Sequence, residues 1–262
     1  MASEFKDKVA MVTGAGSGIG RATAYEFAAR GAKVVVADVD IKGGEATVDH
    51  IKKLGGEAVF VKTDVSKSED VQALIKKTVE SYGKLDCALN NAGTNRGIGV
   101  PTADYKEEDW DIVQSVNLKG VWLCMKYEIQ QMLKQGGKAS IVNTASISGL
   151  SAHPADPAYV SSKFGCVGLT KTAALEYAKT GIRINCVCPG PVRTALFDRV
   201  EEAIPGASEG AKDIVPMGRV GEPEEIAEAV IWLSSEAASF VTAMAMSVDG
   251  GEAAFPKMSP PR

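Results

Sequence analysis

The chain of 262 residues carries 29 basic and 33 acidic side chains, and a net charge of minus four offers no sequence-wide electrostatic case for binding nucleic acid or an acidic membrane. With 45% apolar and 24% charged residues its composition is that of a soluble globular protein, and although the length would allow two domains, no linker interrupts it. The stretch Met1 to Lys8 lacks a signal-peptide pattern and no uninterrupted apolar run approaches a membrane span, so the expected location is cytoplasmic.

Val9 to Val12 is an apolar run that leads through Thr13-Gly14-Ala15-Gly16-Ser17-Gly18-Ile19-Gly20 into a helical stretch, Arg21 to Arg30. Strand, glycine turn and helix in that order suit a dinucleotide. Glycines let the backbone turn tightly and come close to a pyrophosphate, while a helix N-terminus offers free N–H groups and a positive dipole end. The spacing is Gly14-x-x-x-Gly18-x-Gly20, with Ile19 where the GxGxxG fingerprint has its third glycine. Lys33 to Ala37 reads as a second buried strand ending on Asp38, twenty residues after Gly18. An acid there can bind both ribose hydroxyls and would meet the extra phosphate of NADP as a like charge, so NAD is expected over NADP.

Further strand-like runs follow at Ala58 to Val61, Leu85 to Leu89, Ser140 to Asn143, Ile182 to Val187 and Met244 to Val248. Between them lie long amphipathic segments, Gly43 to Leu54, Ser68 to Tyr82, Glu107 to Lys134, Ala158 to Thr180 and Glu222 to Ser234. Such alternation predicts an α/β fold: one doubly wound parallel sheet of about seven strands with helices on both faces. Ligands of such sheets bind outside the carboxyl ends of the strands, where Gly14, Asp38, Asp64, Asn90, Ser146 and Pro189 should gather. The tail Phe255 to Arg262 reads as irregular.

Within Ala158-Tyr159-Val160-Ser161-Ser162-Lys163, Tyr159 and Lys163 stand four apart and share one face of a helix. A neighbouring ammonium favours a phenolate, which makes Tyr159 a candidate general acid/base. An isolated YxxxK could equally be a packed tyrosine and a surface lysine; the glycine turn and Asp38 weigh against that here. The five cysteines, at positions 87, 124, 166, 186 and 188, read as reduced packing residues, and with only His50 and His153 available to complete a site no metal is expected.

Several motifs in order resemble the short-chain dehydrogenase/reductase family, over about Lys6 to Gly251. Thr13 to Gly20 looks like its TGxxxGxG loop, Asn90-Asn91-Ala92-Gly93 like its NNAG segment, and Tyr159 with Lys163 like its YxxxK. Ser146, thirteen residues before Tyr159, is similar to the family's catalytic serine, with Ser148 a nearby competitor; Asn117 resembles its helix asparagine, and Pro189-Gly190 follows a strand as in the family. Ala243 departs from the pattern, since many members carry glycine there.

The resemblance implies a single Rossmann-like domain over 1–262, with Asn117, Ser146, Tyr159 and Lys163 as catalytic residues. It implies cofactor contacts at Gly14, Ser17, Gly18, Ile19, Gly20, Asp38, Asp64, Val65, Asn90, Ala92, Gly93, Pro189, Gly190, Val192 and Thr194, with Tyr159 and Lys163 contributing as well. Asp64 would contact adenine, Asn90 would lie beside the adenine ribose, Thr194 would bind the carboxamide, and Asn117 would support a water relay from Lys163. From sequence alone Asn117 could equally be a satisfied core polar group. The implied reaction is hydride transfer between a secondary alcohol or ketone and NAD, with Ser146 holding the substrate oxygen and Tyr159 exchanging its proton.

Leu196, Phe197, Val200 and Ile204 are apolar enough for a substrate lid over about 191–216, or for a packed surface helix. Asn95, Arg96, His153, Pro154 and Asp156 are further candidates to face the substrate, none of them assigned. The expected substrate is small, neutral and cyclic, because no cationic cluster stands out and runs such as Cys124 to Tyr127 and Ile141 to Ser146 resemble members acting on cyclic alcohols and diols. The resemblance also implies a homotetramer, with Glu107 to Lys134 and Ala158 to Thr180 packing between subunits. Two other readings are a non-catalytic NAD-binding regulator and an isomerase or lyase using bound NAD transiently; the Ser146, Tyr159 and Lys163 set argues against the regulator.

Overall fold

Strand β1 (Val9–Thr13) is buried along its whole length, and its residues divide by parity between two cores. Met11 packs into one, with Val35, Leu74, Ile141 and Ile184; Ala10 and Val12 pack into the other, with Val34, Phe27 and Ile226. A strand covered on both faces reads as a continuous apolar run, which is why these segments stand out in the sequence. The structure is a computed structural model describing residues 4–254. Met1 to Ser3 and the tail Phe255 to Arg262 lie outside the described residues.

Among the described residues seven parallel strands form one sheet in the order β3-β2-β1-β4-β5-β6-β7. After β1 these are β2 (Lys33–Asp38), β3 (Glu57–Lys62), β4 (Cys87–Asn90), β5 (Ala139–Thr144), β6 (Ile182–Pro189) and β7 (Ala245–Val248). Helices α1 (Gly18–Ala29) and α2 (Ile41–Lys53) supply Phe27, Val48 and Ile51 to one core. The opposite core takes Leu74 and Ile75 from α3 (Ser68–Tyr82). The chain then crosses from edge strand β3 to β4, which pairs with β1. The order reverses there, so the crevice at the carboxyl ends of β1 and β4 is the expected ligand site.

The segment expected as one helix from Glu107 to Lys134 is interrupted. Helix α4 (Glu107–Gln114) passes through a π-helical turn, Ser115–Gly120, into α5 (Val121–Gln135). The turn contains Asn117, which is fully buried. Single π turns of this kind recur at functional sites. Helix α6 (Pro157–Tyr177) begins at a proline, whose missing N–H costs nothing in the first turn. Two short helices, α7 (Ala195–Ala203) and α8 (Ala207–Ile214), occupy the segment after β6, and α9 (Pro223–Ser234) returns to the α1 side through Ile226 and Val230. Ala243 has a φ of 62°, the left-handed conformation that glycine adopts freely, and its N–H donates to Ile184 O at 2.9 Å. The backbone thus keeps the glycine geometry with alanine in it.

Candidate active site

At the end of β1 the chain turns at Gly14, whose φ of 65° a side chain would strain. A Cβ on Gly20 would lie 2.2 Å from Gly14 O, so only glycine lets α1 start this close to the strand. Thr13 Oγ1 accepts the N–H groups of Asn91 at 3.0 Å and Ala92 at 3.2 Å and so ties the glycine loop to the segment after β4. Asp38 ends β2 with both carboxylate oxygens occupied. Oδ2 accepts the Gly16 N–H at 2.7 Å and Oδ1 accepts the Asp40 N–H at 2.9 Å. A Cβ on Gly16 would sit 2.8 Å from Asp38 Oδ2, which makes Gly16 part of this corner although the sequence reading singled out only its neighbours.

On the opposite side of the glycine loop, the position of a Gly18 Cβ is 3.1 Å from Thr194 Cγ2. Thr194 caps α7, its Oγ1 accepting the Phe197 N–H at 3.3 Å. Val192 is buried and pairs with Gly221 in an isolated bridge. The Pro189-Gly190 turn is closed against β7, where Gly190 N–H donates to Val248 O at 3.2 Å. Asp64 follows β3 with its side chain in a local turn that accepts the Ser66 N–H at 3.1 Å and the Ser66 hydroxyl at 2.7 Å. Burial works against its ionisation, but these bonds and the Lys67 charge prevail and hold the carboxyl below its ordinary value. Val65, beside it, is buried against Gly120 of the π turn.

The four residues expected to be catalytic lie on α6, the β5 end and the π turn. Tyr159 is half-buried, with Lys163 Nζ 5.4 Å from its ring centroid. Lys163 is only 4% exposed and donates to Thr144 O at 2.9 Å. An ammonium has three donors, so this leaves N–H groups for a ligand. The position of a Gly93 Cβ is 3.8 Å from that ammonium and 3.5 Å from Asn117 Oδ1, which brings the NNAG segment, the lysine and the asparagine together. Asn117 clamps Thr94 from both sides, accepting its N–H at 2.8 Å and donating to its carbonyl at 2.8 Å. Its Nδ2 also reaches Ser162 Oγ at 3.2 Å, and that hydroxyl donates to Tyr159 O at 2.7 Å.

Ser146 and its competitor Ser148 separate by their bonding. Ser148 donates its N–H to Ser146 Oγ at 3.1 Å, while its own hydroxyl is taken up by His153 Nε2 at 3.0 Å. Accepting an N–H leaves the Ser146 proton free to be donated, which is what holding a substrate oxygen requires. Of the unassigned loop residues, Asn95 and Asp156 are buried and bonded to each other at 2.8 Å, and the Arg96 carbonyl takes the Tyr105 hydroxyl.

The Asn90 side chain is turned away from the crevice. The amide lies under the sheet, donating to Glu128 Oε2 on α5 and to Asn143 Oδ1 on β5, each at 3.0 Å, so only its backbone remains for the crevice. Glu128, fully buried, had not been singled out. The crevice otherwise fits a nicotinamide dinucleotide: a glycine cradle that Cβ atoms would fill, a carboxylate at the end of β2 held against the glycine loop, and a buried lysine with unspent donors.

A family model described as enoyl-(acyl carrier protein) reductase matches residues 14–252. The chain belongs to the short-chain dehydrogenase/reductase family. Its relatives in the family include the 2,5-dichloro-2,5-cyclohexadiene-1,4-diol dehydrogenase of Sphingobium indicum, 43% identical over 249 residues, covering 95% of this chain and 98% of that one. The cyclohexanol dehydrogenase of an Acinetobacter strain is 45% identical over 250 residues, covering 95% and 96%. The crystal structure of levodione reductase superposes with a TM-score of 0.91 at 37% identity, covering 96% of this chain and all of that one. The protein is therefore a short-chain dehydrogenase/reductase enzyme that uses a nicotinamide cofactor and interconverts alcohol and ketone.

Proposed function

We propose that the enzyme is an NAD-dependent dehydrogenase acting on a small, neutral, cyclic secondary alcohol or its ketone, with Tyr159 as general acid/base. The observation that carries this reading is the buried Lys163, fixed by Thr144 O against the Tyr159 ring and beside Gly93. When bound, the cofactor accepts or returns the hydride. Ser146 donates a hydrogen bond to the substrate oxygen and orients it; Tyr159, beside the Lys163 ammonium, takes the hydroxyl proton in oxidation and returns it in reduction. Lys163 keeps two N–H groups for the nicotinamide ribose. Asn117, its side chain taken up by Thr94 and Ser162, shapes the path from Lys163 to solvent.

Asp38 supports NAD over NADP, because its carboxylate, held by the Gly16 and Asp40 N–H groups, would repel a 2′-phosphate. Asp64, Val65, Ala92, Gly93, Val192 and Thr194 complete the cofactor contacts, the last from the N-cap of α7. The segment 191–216, containing α7 and α8, serves as the substrate lid. The cyclic substrate is supported by the names of the diol and cyclohexanol dehydrogenases. A homotetramer is supported by Trp110, Trp122 and Phe164, exposed by 39–44% on α4, α5 and α6. A cytoplasmic location belongs to the same reading; among the described residues no helix is long and apolar enough to cross a membrane.

The test is absorbance at the reduced-nicotinamide band with NAD and, separately, NADP, over neutral cyclic and acyclic secondary alcohols. NADH formation that is fastest on cyclic alcohols and lost in Tyr159→Phe is the expected result. NAD binding by calorimetry without NADH formation on any of them would overturn it, and elution as a monomer would overturn the tetramer.

A further inference from the structure

Two buried acid–amide pairs bracket the segment Asn90 to Asn95, and they share one bonding pattern. At one end Asn90 Nδ2 donates to Glu128 Oε2 at 3.0 Å, while Asn90 Oδ1 and Glu128 Oε1 are buried with no partner among the described residues. At the other end Asn95 Nδ2 donates to Asp156 Oδ2 at 2.8 Å, while Asn95 Oδ1 and Asp156 Oδ1 are likewise buried with no partner among the described residues. All four residues are at most 6% exposed. An ionised carboxylate only accepts, so in each pair it leaves two acceptor oxygens without a hydrogen, a costly arrangement away from water. One proton resolves both. A neutral acid donates its O–H to the amide oxygen while accepting the amide N–H, closing a two-bond ring that satisfies both unpaired oxygens.

We propose that Glu128 and Asp156 are held as neutral acids, each closing a two-point pair with an asparagine, and act as positioning residues that fix the Asn90 to Asn95 segment. That segment carries Ala92, Gly93 and Thr94, and Thr94 in turn is clamped by Asn117. Asp156 also precedes Tyr159 at the start of α6, so the second pair ties the segment to the helix that bears the tyrosine. The role toward the cofactor rests on the functional reading above; the protonation state does not.

The surroundings agree. Glu128 faces Asn90 on β4, whose other amide hydrogen goes to Asn143 on β5, and Asn143 continues to Thr170 on α6; all are neutral. The ionisable group that feels Glu128 is Cys124 on its own helix, itself pushed up by burial. Burial pushes Glu128 up to about 8, against the Asn90 bond. Asp156 is also raised by burial, against the Asn95 bond, His153 from the preceding loop and the Tyr159 amide; Tyr105, before α4, faces it as well and is pushed up to about 12, first by burial and then by Asp156 and Asp109.

The test uses the full chain in heavy water, with infrared spectra at mildly acid pH. The expected result is a protonated-carboxyl C=O band that loses one component in Glu128→Gln and another in Asp156→Asn. Absence of that band from the unaltered protein, or a band that neither substitution changes, overturns the neutral acids. Positioning is read separately, from calorimetric binding of NAD. Glu128→Ala should weaken it about tenfold, on the scale of a lost buried hydrogen bond, and Glu128→Gln, able to form both bonds, should restore it. Gln behaving like Ala, or Ala binding NAD unchanged, overturns the positioning role. A protein that binds NAD in this pattern yet oxidises no alcohol would count against the functional reading alone.

Discussion

Glu128→Gln should change how the protein's stability depends on pH, and the size of the effect follows from burial. The carboxyl is fully buried and burial raises it from an ordinary 4.5 to about 8. Between those values the folded chain keeps the proton and the unfolded chain has lost it, so stability falls as pH rises, by about 1.4 kcal/mol per pH unit. The contribution is fully present below about 4.5 and is lost by about 8, a total of about 5 kcal/mol at most. That is a large share of the about 5–15 kcal/mol that stabilises most domains. Glutamine has no proton to lose, so the variant lacks this decline while sharing every other titration with the parent. The assay is the urea midpoint of both proteins at several pH values across this range. The variant should gain steadily on the parent from acid to alkaline pH. A stability difference that stays constant over the range would refute the reasoning, because it would mean that folding does not alter the ionisation of Glu128.

Tyr159→Phe should lower kcat by about 10²- to 10⁴-fold, as expected for loss of a general acid/base; a rate close to the parent's would remove Tyr159 from the chemistry. Asp38→Ser removes a charge and weakens the corner built on Gly16 and Asp40, so the ratio of kcat/KM for NAD to that for NADP should fall by about 10²-fold, consistent with like-charge repulsion of several kcal/mol. An unchanged ratio would show that discrimination lies elsewhere. Ala243→Gly should raise stability by about 0.5–1 kcal/mol, the left-handed strain relieved less the backbone entropy that glycine adds, and a lower thermal midpoint would contradict this.

What could be read from the sequence were the positions at which local geometry leaves one kind of residue. The inner strands β2, β1, β4, β5 and β6 show as apolar runs because both faces are covered, and Gly20 is legible because a Cβ there would collide with Gly14 O. Asp38 is legible from its distance to the glycine turn, and Tyr159 with Lys163 from one turn of helix. The π turn that holds Asn117 is hidden inside a continuous helical pattern, since what clamps the asparagine there is Thr94, on a distant segment.

Glu128 is the most instructive omission, because two periodicities point to it separately. On α5 it falls on the apolar stripe of Val121, Met125, Ile129 and Met132, where an acid has no business being ionised. On β4 Asn90 shares its face with Ala88, which packs into that same core, and on β5 Asn143 shares its face with Ile141. Strand parity therefore directs both amides toward the helix that carries Glu128, and away from the crevice. Neither pattern reveals the pair alone: the acid reads as one polar residue on a helix, and the asparagine as part of a cofactor motif. Only the topology, which lays α5 beneath β4 and β5, turns two local irregularities into one site, and a buried acid without a cation then needs a proton to satisfy its neighbours.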